Sequence, residues 1–194
     1  MPGRVLLRAL LLLAALTPGT LSCGAGVPPV IRDELDRAPP GVVTVVFFTD
    51  FQCPHCRRTH AALAAAAASR PGRVRVVTRH VPLHMHPDAQ TAARAAVCVE
   101  SSTAYDDYLH ALYAAPDLGE VACEELAAAR GVNRDAFRAC VADPATDRRI
   151  ASDTRLLDQV GGDGVPLLYV GRRRLEGSQT QRDLASAIDE AARQ

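Results

Sequence analysis

The sequence predicts an α/β fold in which a small sheet-forming unit is interrupted by an α-helical domain. Three observations carry that expectation. The apolar, β-branched run Val42 to Phe48 is followed by an alanine-rich helical segment and then by the alternating stretch Arg73 to Thr78, a spacing that makes a right-handed parallel strand–helix–strand unit. Residues 88–158 hold helical segments and no strand-like run. Strand patterning then returns at Val165 to Val170 and Arg173 to Glu176. At 194 residues and 48% hydrophobic, the chain is long enough for one good core. Its 22 basic residues, all arginine, balance 22 acidic ones, so nothing in the charge points to nucleic acid as a partner.

Residues 1–22 read as a signal peptide, with Arg4 and Arg8 ahead of the apolar core Ala9 to Leu16. That core is too short to be a permanent membrane span. Pro18 and Gly19 follow, then Thr20-Leu21-Ser22-Cys23-Gly24, which resembles a bacterial lipobox. The resemblance implies lipidation at Cys23 and a lipid anchor. Thr20 stands where such motifs usually carry Leu, and plain cleavage near Ser22 or Gly26 is the alternative. Either route exports the chain to the periplasm or cell envelope, where disulfides persist. Residues 23–41, with several prolines and the charged stretch Arg32 to Arg37, read as a tether with room for a turn of helix.

Val42 to Phe48 is expected to be a central strand buried on both faces. It leads into Thr49-Asp50-Phe51-Gln52-Cys53-Pro54-His55-Cys56-Arg57-Arg58, and Ala61 to Ala68 continues as helix. Pro54 suits the first helical position, which makes Cys53 the N-cap, beside unpaired N–H groups and the positive end of the helix dipole. That placement favours a thiolate, and His55 can add charge or a hydrogen bond. Cys56 lies one turn behind and can close a ring with Cys53. A C-x-x-C is alternatively half of a zinc site, but no second one exists, and a strand-then-helix context is that of a thioredoxin-like redox motif. His84 and His86 could supply metal ligands, the basis of a rival reading as a metal-binding maturation protein. As loop residues near the active-site rim they need no ligand role. His60, His80 and His110 give no usable signal.

Helices are expected at about Asp88 to Glu100, Ala104 to Ala114, Glu120 to Arg130, Arg134 to Ala142 and Thr146 to Val160. Asn133 is a candidate N-cap, and Gly131 a stop that makes a tight hairpin of the third and fourth. Gly171-Arg172 can turn a hairpin, and Thr180 with Asp183 signals the start of a last helix ending near Arg193. The organisation is therefore a sheet domain of residues 42–86 and 160–194 around a helical insertion, 87–159.

These pieces in this order resemble the DsbA-like branch of the thioredoxin superfamily over nearly all of residues 42–194. The resemblance rests on Asp50 to Arg57, on His80-Val81-Pro82-Leu83 with His86-Pro87, on Ala92-Ala93 to Cys98, and on Gly164-Val165-Pro166. It implies a thioredoxin-like fold with an inserted α-helical domain. It also implies that Pro166 is a cis-proline facing the sulfurs, and that Pro54 and the Val165 backbone meet an extended substrate peptide. Cys53 would be the attacked and attacking sulfur, Cys56 the buried resolving sulfur, and His55 the stabiliser of the Cys53 thiolate. Pro54-His55 is the dipeptide of strongly oxidising members, since a stabilised thiolate makes a disulfide readily reduced. In this superfamily a buried carboxylate stands six residues before the first cysteine. Here that position is Phe47, and Asp50, the nearest acid, is as well placed for capping as for carrying a proton.

Cys98, Cys123 and Cys140 remain. Cys123 and Cys140 are equally far from the turn at Gly131-Val132 and would face each other across the hairpin, whereas the resemblance implies a structural disulfide between Cys98 and Cys140. The implied activity is that of an exported thiol:disulfide oxidoreductase that introduces or exchanges disulfides in secreted proteins, with a reductase or isomerase of the same fold as the alternative. Its partners would be reduced or unfolded secreted proteins and a membrane reoxidising protein. It would work as a monomer, and the chemistry calls for no cofactor and no metal.

Overall fold

The computed structural model describes residues 26–194. The signal peptide and Cys23 lie outside the described residues. Four strands form one sheet in the order β2-β1-β3-β4: β1 (Val43–Thr49), β2 (Val74–His80), β3 (Leu167–Val170) and β4 (Arg173–Glu176). β1 is parallel to β2 and antiparallel to β3, and β3 pairs antiparallel with β4. All seven residues of β1 are buried, because the pleat sends alternate side chains into two different cores. Val43, Val45 and Phe47 pack with Leu63 of α2 (Pro54–Ala68) and Leu184 and Ile188 of α8 (Gln181–Ala191). Val46 and Phe48 face the opposite layer, with Ile31 of α1 (Pro29–Leu35), Leu157 of α7 (Pro144–Gln159) and Tyr169 of β3. Each such fully buried apolar side chain contributes about 1.5–3 kcal/mol.

Between β2 and β3 run α3 (Ala89–Val99), α4 (Tyr105–Ala114), α5 (Glu120–Ala128), α6 (Arg134–Ala142) and α7. The Asn133 side chain caps α6 by accepting from the Ala136 N–H, and Gly131 turns the α5–α6 hairpin at φ 79°. Thr180 and Asp183 form a capping box at the start of α8. Mutually packed α3 to α6 build a third core from Ala92, Ala96, Tyr108, Leu112 and Phe137, and that core also takes in Phe51, Cys53 and Cys56. The helical block is thus the roof over the cysteine pair.

The tether expected over 23–41 is corrected in its second half. α1 is docked on the sheet, with Ile31 fully buried. The Glu34 carboxylate, 6% exposed, accepts hydrogen bonds from Arg75 (2.7 Å), Arg79 (2.9 Å) and Arg37 (3.0 Å). Burial alone would raise the Glu34 pKa, but the bond from Arg75 and the charges of Arg79, Arg75 and Arg37 leave it below the ordinary value. An apolar residue and an acid three apart share one helix face, and here that face fits the back of the sheet.

Candidate active site

Cys53 is the N-cap of α2, with extended backbone angles (φ −68°, ψ 119°), and Pro54 fills the first helical position, where a missing N–H is harmless. The Cys53 C=O accepts the first helical hydrogen bond from the Arg57 N–H (3.0 Å). Cys53 is 5% exposed and Cys56, one turn on, is completely buried; both are thiols here. The bond between Val165 and Pro166 is cis, and the Val165 C=O lies 4.0 Å from the Cys53 sulfur. Beside them a cleft of about 290 Å3, lined by Gly164, Val165, Pro166, Glu176 and Gly177, runs along the start of β3.

Asp50 orders the turn that delivers Cys53. One carboxylate oxygen accepts from the backbone N–H groups of Gln52 (2.7 Å) and Cys53 (3.2 Å), and the other from the Leu83 N–H (2.8 Å) and His86 Nδ1 (2.9 Å). Gln52 and Asp88 exchange two more hydrogen bonds, 2.7 and 3.1 Å, so the segment from Leu83 to Asp88 is fastened to the cysteine turn. Of the two loop histidines, His86 belongs to this network and His84 is exposed. Among the described residues, no three His, Cys, Asp or Glu side chains converge as a metal site.

His55 is exposed, and its Nδ1 lies 2.8 Å from Ser178 Oγ and 3.0 Å from an Arg58 nitrogen. The ring nitrogen is bonded to the loop before α8, and His55 makes no hydrogen bond to Cys53. The Thr59 hydroxyl, accepting from the Gln179 N–H (3.2 Å), holds that loop against α2.

Burial pushes the Cys56 thiol up. Hydrogen bonds from the Thr49 hydroxyl and the Asp50 backbone N–H oppose the shift, and the neighbouring Cys53 reinforces it. Thr49 is in turn hydrogen-bonded to the Tyr113 hydroxyl of α4. Tyr113 packs against Phe51 (ring centroids 4.8 Å) and a stacked His60 (4.1 Å), and His60 Nε2 lies 2.8 Å from His110 Nδ1. Sequence reasoning passed over Thr49 and Tyr113. Alternation along β1 puts Thr49 on the face of Phe47, two residues nearer Cys53, which is a usable signal; Tyr113 is 64 residues away and carries none.

Cys98 and Cys140 are joined by a disulfide, Cα–Cα 5.7 Å, tying α3 to α6. Cys123, which the hairpin reading paired with Cys140, is instead a buried free thiol donating to the Leu118 C=O (3.3 Å). It sits in the core that α3 to α6 share, and burial pushes its pKa up to about 12.

Residues 38–190 match the family model described as thioredoxin. Among solved structures, a thioredoxin-like oxidoreductase from Silicibacter pomeroyi shares 28% identity, with a TM-score of 0.73 over 84% of this chain and 98% of that one. The thiol-disulfide exchange protein alpha-DsbA2 from Wolbachia pipientis shares the fold at 20% identity, with a TM-score of 0.72 over 83% of this chain and 91% of its own. A curated relative, the Na(+)/H(+) antiporter NhaA 3 of Salinispora tropica, is 32% identical over 159 residues. These are 81% of this chain but 24% of the antiporter, so the chain spans about a quarter of the length of the curated relatives it matches.

Proposed function

Because the chain belongs to the thioredoxin family, with the helical insertion of DsbA-like structures, we propose that it is an exported thiol:disulfide oxidoreductase acting on secreted proteins through Cys53 and Cys56. The observation that carries the reading is the pairing of a helix-capping Cys53, backed by the buried Cys56, with the Val165 C=O 4.0 Å from its sulfur. A substrate thiolate attacks Cys53 in the Cys53–Cys56 disulfide, the S–S bond breaks, and its electron pair passes to Cys56. The second substrate thiolate attacks the substrate sulfur of the mixed disulfide and displaces Cys53. Two electrons have then moved from the substrate dithiol to the cysteine pair, and a membrane partner that accepts electrons restores the disulfide. Val165 and the cleft beside Pro166 hold the substrate as an extended strand, and Pro54 borders the approach to the sulfur. The second disulfide, Cys98–Cys140, supports placement in an oxidising compartment such as the periplasm. Among the described residues no helix is long and apolar enough to cross a membrane. Lipid on Cys23 would attach the chain to one.

The test is exchange with a reduced peptide, together with equilibration against glutathione buffers. Cys53→Ser should abolish exchange, and the pair should show a reduction potential above about −150 mV, that of a disulfide donor. Unchanged exchange in Cys53→Ser overturns the activity. A potential near −250 mV or below reverses the direction of electron flow.

A further inference from the structure

On the oxidoreductase reading just given, the potential of the cysteine pair depends on what meets the Cys53 thiolate once the disulfide is reduced. As N-cap of α2, Cys53 stands beside the unpaired N–H groups of the first helical turn. His55, two residues on, is a ring that can add a hydrogen bond to the same sulfur. In the structure it is turned to other partners. Its Nδ1 lies 2.8 Å from Ser178 Oγ and 3.0 Å from an Arg58 nitrogen. A guanidinium only donates, so Nδ1 presents its lone pair and the ring proton sits on Nε2. The Ser178 hydroxyl faces the same lone pair and donates to it as well.

Ser178 is not a loose surface hydroxyl. On one side of it the Gly177 N–H donates to the Pro166 C=O (2.9 Å), and on the other the Gln179 N–H donates to the buried Thr59 hydroxyl of α2 (3.2 Å). The Gln179 side chain folds back onto the C=O groups of Glu176 (2.9 Å) and Gly177 (3.0 Å), which stiffens the turn. Residues 177–179 are thus a strap from the cis-proline to α2, with Ser178 fixed at its middle. We propose that this strap clasps His55 away from Cys53, so that Ser178 and Arg58 are positioning residues that set the reduction potential of the cysteine pair. While the clasp is closed, the Cys53 thiolate relies on the helix start alone. With the clasp open, His55 swings about its side-chain torsions to the sulfur, the reduced form gains a hydrogen bond, and the disulfide becomes the stronger oxidant. The clasp also joins the two sides of the substrate cleft, since His55 belongs to the helix that carries Cys53 and Gly177 lines the cleft beside Pro166.

Equilibrating the full chain against glutathione buffers reads the clasp: two glutathione thiols pass two electrons to the Cys53–Cys56 disulfide and leave as glutathione disulfide. Ser178→Ala should raise the equilibrium constant for reduction of the pair about tenfold, a rise of about 30 mV in potential. Ser178→Thr, which keeps the hydroxyl, should return the parent value, and in a His55→Ala background Ser178→Ala should change nothing. Arg58→Leu removes a charge from α2 along with a hydrogen bond, so its effect is taken as the difference between chains with and without His55, and that difference should have the same sign. An unchanged potential in Ser178→Ala, or an equal change with His55 absent, refutes the clasp. A second readout needs no exchange at all. Two-bond nitrogen–proton spectra of the unsubstituted chain in mildly alkaline solution should show His55 with a bare Nδ1 and a protonated Nε2, and a proton on Nδ1 refutes the clasp too. If Nδ1 is bare but glutathione does not open the Cys53–Cys56 disulfide, the oxidoreductase reading fails and the tuning role falls with it.

Discussion

Asp50 accepts four hydrogen bonds and is 2% exposed, so its two oxygens have no freedom left. The sequence left its role divided between capping and proton transfer; in the structure its carboxylate bridges the turn ahead of α2 to Leu83 and His86. Asp50→Asn tests this at the scale of one atom, because the amide must turn its NH2 toward either the Gln52 and Cys53 N–H groups or Leu83 and His86. Two donors then face each other, and the loss should be about 1–3 kcal/mol in urea unfolding, with faster amide exchange at Cys53 and Leu83. Unaltered stability and exchange would mean the carboxylate is not what orders the turn. The cysteine pair itself was legible because Cys53-Pro54 at a strand end is a local signal. His55 was legible as a position but not in its contacts, since Ser178 reaches it from 123 residues away.

The disulfide between α3 and α6 closes a separation of 42 residues and braces the helices that roof the active site. Restricting the unfolded chain by a loop of that size stabilises by about 3–4 kcal/mol. Replacing Cys98 and Cys140 together by alanine should lower the unfolding free energy by that amount while leaving the chain folded. A loss below about 1 kcal/mol would show that native packing, not the crosslink, holds the block together. Most elements could be read from local chemistry: β1 from its apolar run, α6 from Asn133, α8 from Thr180 and Asp183. α1 could not, because Pro28 and Pro29 read as linker and the docking partners of Glu34, Arg75 and Arg79, come from a strand some forty positions on. The same holds for Cys123, whose direction depends on how α5 is rotated against α3 and α4.

The molecule as a whole should lose stability in acid earlier than its carboxylates alone dictate. Burial and the charge of His110 push His60 down to about 4, and burial with the charges of Arg149 and Arg79 pushes His80 down to about 3. Below the ordinary value of 6.5 the unfolded chain binds protons that the folded chain refuses, so stability falls as pH falls. The slope is at most about 1.4 kcal/mol per pH unit for each histidine, until the folded value is reached. Glu34, with its pKa held below the ordinary 4.5, adds stability present above that value and lost as pH drops through the lower folded one. Urea unfolding from pH 7 to pH 4 should show the decline, and His60→Phe should make it shallower between 6.5 and 4; an unchanged slope would show that His60 is not its source. The sheet order carries a last consequence. β2 lies at the edge, with Val76 40% exposed, and its outer backbone is a template for another chain to extend the sheet. Exposed Arg73 stands at the start of that edge, so two copies meeting there edge to edge would set cation against cation. Its charge thereby acts as a gatekeeper against fibrous self-association.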